Sequence, residues 1–365
     1  MLLLTLTPLS LAADKILFAI CGPMTGDSAA IGIQEKNGAI IAVDEINAAG
    51  GISGKKLEFI VGDDMANPNQ ATILAQKLAS NKDILFVLGH VNSGCSLSAL
   101  PIYEKVGLPV ISPTNTNPTI TEMGYKNYFR IIASDDLIVK QQVLLGVKEL
   151  GIKKPAIIWE NTDYGKGMRD VALKNLKQMG IAMVGDESYV PGVDRDYSAQ
   201  VTKFKGAGAD GVFFMGEYTA AALFLKQAKT LGLNAQVVGG SGASNPKLLE
   251  IAGPAAEGFY ALTCFDPNDK RPVQAEFIQK YTTRFRDKPG EWSSHAYDVV
   301  YLVKKVYEMG GTTREKLIQY LHKVKAFPGI TGVIEFDEKG DVPGKKVMVL
   351  VVKKGDFQTY IPTKY

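Results

Sequence analysis

Ile84-Leu85-Phe86-Val87-Leu88 runs directly into Gly89-His90-Val91-Asn92-Ser93-Gly94-Cys95, and Pro109-Val110-Ile111 runs into Ser112-Pro113-Thr114-Asn115-Thr116-Asn117. In each case a short apolar run, the mark of a strand buried on both faces, gives way to a polar loop. The first loop predicts a helix from near Ser96, so Asn92 to Cys95 place backbone N–H groups and the Ser93 hydroxyl at the positive end of a helix, which suits a carboxylate. The second loop offers hydroxyls at Ser112, Thr114 and Thr116. Paired loops at the carboxyl ends of neighbouring strands are where open α/β sheets bind ligands, and here they predict a cradle for a small polar head group. Taken one at a time, the same hydroxyls read as helix caps.

The rhythm extends in both directions. Strands are expected at Ile16 to Ile20, Leu57 to Val61 and Tyr128 to Ile131, with helices from about Gln34 to Ala48 and from Asn67 to Ala79. Beyond Ser134 a second series begins, with strands at Ala156 to Trp159, Gly211 to Met215 and Val237-Val238. Its helices open at Tyr164-Gly165-Lys166-Gly167 and at Gly216-Glu217-Tyr218. Short apolar strands alternating with helices predict parallel sheets covered on both faces. From Phe265 helices follow one another, at about 273–285, 294–309 and 313–324. Strands at Gly332 to Phe336 and Lys346 to Val352 are then expected to pair through a turn at Asp337 to Asp341. Two α/β lobes, with the chain crossing between them more than once, satisfy this order.

Composition narrows the function. A chain of 365 residues with 46% hydrophobic content can fill two cores. Its 41 basic and 38 acidic residues, with no long basic run, exclude the electrostatic footprint of a nucleic-acid or anionic-membrane binder. MLLLTLTPLSLAA, residues 1–13, has an apolar core and ends in small residues, with Ser10 and Ala12 placed as in an export-signal cleavage site, although no basic residue precedes it. An exported protein, soluble after cleavage of that segment, is the expectation.

Cys21, Cys95 and Cys264 are too few for a disulfide framework; at most one bridge can form, for which Cys21 and Cys95 are the candidates at strand ends, and small buried thiols are the expectation. His90, His295 and His322 lack metal-ligand spacing, so neither a metal nor a cofactor is expected. Gly239-Gly240-Ser241-Gly242-Ala243 departs from a nucleophile elbow at its last residue, and Gly165-Lys166-Gly167 lacks the spacing of a phosphate loop. Adjacent Asp63-Asp64 and Asp135-Asp136 point their side chains apart. The chain reads as a binder and not as an enzyme.

With both loops and the closing strands in view, the chain resembles the leucine/isoleucine/valine-binding family, the type I periplasmic solute-binding proteins of branched-chain amino acid ABC importers. The markers run through residues 14 to 360: Gly22-Pro23-Met24-Thr25-Gly26, Asn47-Ala48-Ala49-Gly50-Gly51-Ile52, Gly89-His90, Ile111-Ser112-Pro113-Thr114, Tyr164-Gly165-Lys166-Gly167, Gln227-Ala228-Lys229, Ala252-Gly253-Pro254 and Thr331-Gly332-Val333. The resemblance implies two doubly wound α/β lobes joined by three hinge crossovers, near 134–136, 264–266 and 342–345. Lobe 1 would comprise 14–134 and 266–342; lobe 2 would comprise 135–265 and 343–365. It also implies a monomer that closes on an amino acid and delivers it to ABC permease subunits.

Carried over by position, the ligand's carboxylate falls to Ser93, its ammonium to Thr114 and Thr116, and an aromatic lid to Tyr164. Two positions depart from the pattern. Ser241 stands where an acidic partner of the ammonium is common, and Glu217 stands where an aromatic is common. Glu217 could restore the countercharge, start the following helix, or mark a ligand that is not an α-amino acid. Ile31 replaces a usual aromatic wall, for which Tyr218, Trp292 and Tyr297 are candidates. The alternatives carried forward are an apolar or aromatic carboxylate as ligand, and a sensing module of the same fold.

Overall fold

The computed structural model describes residues 15–365, so the expected signal segment, residues 1–13, lies outside the described residues. The apolar runs of the first third form β1 (Lys15–Gly22), β2 (Lys56–Asp63), β3 (Ile84–Gly89), β4 (Val110–Ser112) and β5 (Tyr128–Arg130). They make one parallel sheet in the order β2-β1-β3-β4-β5. Between and after them run α1 (Ala29–Ala48), α2 (Pro68–Ser80), α3 (Ser93–Lys105) and α4 (Thr119–Glu122). Alternate residues of β1 enter opposite cores, Phe18 and Ile20 on one face, Ala19 and Cys21 on the other. That is why the run is apolar throughout instead of alternating. Phe18 stacks on Phe86 at 4.7 Å, each burial contributing about 1.5–3 kcal/mol.

The second lobe begins with α5 (Asp135–Leu144), which runs on into a π-helical turn at Leu145–Glu149. Its sheet contains β6 (Pro155–Glu160), β7 (Gly185–Tyr189), β8 (Gly211–Met215), β9 (Gln236–Gly239) and β10 (Tyr260–Thr263), parallel in the order β10-β9-β8-β6-β7. α5 and α6 (Asp163–Gln178) cover one face. The other face is covered by α7 (Ser198–Gly206), α8 (Tyr218–Thr230) and α9 (Lys247–Ala252).

The chain then returns to the first lobe as α10 (Pro272–Phe285), α11 (Glu291–Glu308) and α12 (Arg314–Leu321), followed by a two-stranded ribbon of β11 (Phe327–Gly329) and β12 (Gly332–Ile334). It crosses a third time to add β13 (Met348–Lys353) and β14 (Asp356–Tyr360) antiparallel at the β10 edge. Two doubly wound lobes joined by three crossovers is the architecture.

α1 and α11 meet at Gly38, where an added Cβ would lie 1.9 Å from the Ser293 carbonyl oxygen. Backbone on the facing helix cannot yield as a side-chain tip can. Gly38→Ala is therefore expected to destabilise the first lobe by at least about 1–3 kcal/mol, the usual cost of overpacking. Urea denaturation checks it, and an unchanged midpoint would refute it.

Four features differ from the sequence expectation. α3 starts at Ser93, not Ser96, because Asn92 is already extended and the polar residues after it take helical geometry. α1 likewise begins earlier, at Ala29. The predicted hairpin through Asp337 to Asp341 does not form: β12 pairs with β11, and β13 pairs with β10 and β14 in the other sheet. The turn docks instead on β5, where the Arg130 N–H donates to the Gly340 carbonyl at 2.8 Å and the guanidinium reaches Asp341 at 2.5 Å. Finally β7, β10, β11, β14, α4, α7 and α9 join the elements expected. β14 follows a two-residue turn in which Lys354 and Gly355 have φ of 54° and 75°, the left-handed pair that a tight hairpin requires.

Candidate functional site

The carboxyl ends of β3 and β4 face those of β6, β8 and β9 across the gap between the lobes. An inner pocket there is lined by Asn92, Ser93, Thr114 and Thr116 from the first lobe and by Tyr164, Glu217, Ser241 and Gly242 from the second. Ile31, Val91 and Trp292 supply its apolar wall. It opens past Asn92, Ser93, Tyr164 and Glu217 into a chamber of about 630 Å³.

The two first-lobe loops are locked to each other before any ligand is considered. Ser112 Oγ accepts the N–H groups of Thr114 and Asn115 at 3.2 and 3.0 Å, Asn115 Nδ2 donates to the Val91 carbonyl at 2.6 Å, and the Ser96 hydroxyl donates to Asn115 Oδ1. Below them His90 is bonded at both ring nitrogens, to Asp64 at 2.6 Å and Tyr103 at 3.0 Å. Its role is to brace the loop.

Hydroxyl polarity is fixed by these neighbours. Thr116 donates to Asp135 Oδ2 at 2.9 Å and Thr114 donates to the carbonyls of His90 and Val91 at 3.2 and 3.3 Å, so both turn lone pairs elsewhere. The Ser93 hydroxyl has no partner among the described residues, and no side chain caps the first turn of α3. Donors therefore gather at Ser93 and the helix start, acceptors at Thr114 and Thr116.

Among the described residues Glu217 is the one acid that lines the inner pocket, and no Lys, Arg or His lines it. It occupies the N-cap of α8 without capping it. Its carboxylate crosses to the first lobe instead, accepting from the Ser28 hydroxyl and from Asn92 Nδ2 at 2.8 Å. Burial raises its pKa, opposed by those two bonds. Glu160, at the end of neighbouring β6, is raised by burial and then by the charge of Glu217. Repulsion between them opposes the ionisation of both at neutral pH.

The sequence-derived residues Ser93, Thr114, Thr116, Tyr164, Glu217 and Ser241 thus share one pocket. Tyr218 does not: its hydroxyl donates to the Asp27 carbonyl at 2.6 Å, joining the lobes outside the pocket. Trp292 lines the pocket, whereas Tyr297 packs in the first lobe and donates to Glu45 at 2.7 Å. Sequence reasoning missed Glu160, which ends β6 much as Glu217 follows β8; that shared strand-end position was the available signal. It also missed Ser28, Asp135 and the pairing of Arg195 with Asp27 across the gap at 2.6 Å. Among the described residues all three cysteines are buried free thiols, and no group of acids, His and Cys is placed to hold a metal.

Known proteins share this arrangement. The family model described as periplasmic binding protein matches residues 15–356. The leucine-, isoleucine-, valine-, threonine- and alanine-binding protein of Pseudomonas aeruginosa is 34% identical over 333 residues, 91% of this chain and 88% of that one. Among solved structures, the leucine-binding protein LivK of Thermotoga maritima superposes with a TM-score of 0.88 at 28% identity, covering 95% of this chain and 98% of the other. The branched-chain amino acid transporter substrate-binding protein LivJ of Streptococcus pneumoniae, solved with isoleucine, gives 0.88 and 28% over 94% and 98%. With two lobes, three crossovers and a pocket between facing strand ends, this chain belongs to the periplasmic binding protein family and is similar to members of it that are named for leucine, isoleucine and valine.

Proposed function

We propose that the protein captures a small apolar amino acid of the branched-chain type between its lobes and, from the periplasm, delivers it to the membrane permease of an ABC importer. The units that close on the ligand are residues 14–134 with 266–342, and residues 135–265 with 343–365. The observation that carries this reading is the separation of donors from acceptors inside one pocket. Ser93 and the start of α3 receive a carboxylate, while Thr114, Thr116 and Glu217 receive an ammonium. Tyr164 and Ser241 complete the second-lobe side, and Ile31, Val91 and Trp292 receive the apolar side chain.

An aromatic carboxylate without an amine fits less well. It would leave Glu217 with no cation and bring a second negative charge toward it. The relatives named for branched-chain amino acids agree with the zwitterion.

A thermal-shift screen tests the assignment. Leucine, isoleucine or valine at 100 times its dissociation constant is expected to add about 2.7 kcal/mol to stability. Melting unchanged by amino acids but raised by benzoate and similar acids would overturn it.

A further inference from the structure

Asp135 is the first residue of α5 and is wholly buried. It touches the ligand loop twice: its N–H donates to the Thr116 carbonyl at 2.7 Å, and its Oδ2 accepts the Thr116 hydroxyl at 2.9 Å. Oδ1 has no hydrogen-bond partner among the described residues. Among the described residues no cation binds this carboxylate directly: the nearby Arg130 guanidinium is engaged by Asp341, Thr121 and the carbonyls of Asn115 and Asn117.

A threonine hydroxyl has one proton and two lone pairs. With the proton committed to a carboxylate, the only thing Thr116 can offer the pocket is an acceptor, and the charge behind it strengthens that acceptor. Without the carboxylate the proton is free to turn inward, and the same hydroxyl can then serve an uncharged or anionic group.

We infer that Asp135 is a positioning residue for head-group selectivity: it holds Thr116 as an acceptor, so that the pocket prefers an ammonium to a hydroxyl at the ligand's α-carbon. This deepens the amino-acid reading and rests on it. The Thr116 acceptor and Glu217 then offer the ammonium one partner from each lobe, which offsets Ser241 standing where an acid was expected.

The test compares leucine with its hydroxy analogue, 2-hydroxy-4-methylpentanoate, by calorimetric titration of the full chain stripped of ligand. Asp135→Ala is expected to weaken leucine about 10- to 100-fold, as for loss of a charge-assisted hydrogen bond, and to change the hydroxy acid less than about 3-fold. In a Thr116→Val background Asp135→Ala should cost nothing further, because its effect passes through that hydroxyl. Asp135→Asn keeps an acceptor oxygen and the backbone bond, guards against misfolding, and should retain most of the preference. Equal weakening of both ligands, or a full additional loss in the Thr116→Val background, would overturn the inference while leaving the amino-acid reading intact. A wild-type protein that binds no amino acid would overturn both.

Discussion

Glu217→Gln is expected to weaken leucine binding by about 2–5 kcal/mol, roughly 30-fold to several thousand-fold, with little change in the melting of the empty protein. Gln is nearly isosteric and its oxygen can still accept from Asn92, which keeps one of the two links that Glu217 makes to the first lobe. What it loses is the only negative side chain that lines the inner pocket among the described residues. A buried ammonium then faces neutral acceptors alone, and that is the costly state for a charge out of water. Titration with leucine reads the effect directly; wild-type affinity in the variant would remove Glu217 from the site.

The same carboxylate makes binding depend on pH, with a definite sign. Burial raises Glu217 in the empty protein, so part of it is protonated near neutrality. The ligand's ammonium favours the ionised form. Binding must then release protons, and affinity must fall, by at most about tenfold per unit, as pH drops from about 8 toward 5.5. Calorimetry in buffers of different ionisation enthalpy measures the proton release. Glu160, raised by burial and by Glu217, and Asp135, pushed up to about 7 by burial, titrate in the same region. Glu291, beside Trp292, is likewise pushed up to about 7 by burial, so proton release that survives in Glu217→Gln belongs to this set of buried carboxyls and not to Glu217.

What the sequence made legible follows from how far each signal reaches. A strand buried on both faces leaves an uninterrupted apolar run, so the central strands of both sheets stand out, as do the loops that follow them. Ser93, Thr114 and Thr116 could be placed together at strand ends that face one pocket because the chemistry of their loops is local. Tyr260–Thr263 and Gly185–Tyr189 were harder: one is a four-residue strand beside other short runs, and the other is half polar at the sheet edge. The false hairpin at Asp337 to Asp341 had acceptable turn chemistry. It failed because the buried Arg130, over 200 residues away, supplies partners that no local pattern announces. Glu217 was visible as an oddity, but its crossing to Ser28 and Asn92 is a tertiary fact. Tyr218 neighbours Glu217 in sequence, but its helical position directs the hydroxyl to the Asp27 carbonyl instead.

Arg130→Met is expected to destabilise the protein by about 3–5 kcal/mol and to weaken ligand binding as well, the range seen when one member of a buried ion pair is removed. Arg130 is fully buried at the end of β5. Its Nε meets Asp341 Oδ1 at 2.5 Å, one terminal nitrogen donates to the carbonyls of Asn117 and Asn115 at 2.9 and 3.4 Å, and the other donates to the Thr121 hydroxyl at 3.1 Å. One side chain thus fastens the ligand loop on one side and, on the other, the turn that leads into the third crossover. Met fills the volume but leaves Asp341 without its cation and two carbonyls without a donor. Arg130→Lys should recover little, since a single ammonium cannot spread over a carboxylate, two carbonyls and a hydroxyl as a planar fork does. Denaturation in urea gives the stability loss, and titration below the variant's melting range gives the affinity loss. If Arg130→Lys matched wild type in both, the fork geometry would be irrelevant, and the ligand loop and the third crossover would have to be held by their separate backbone bonds alone.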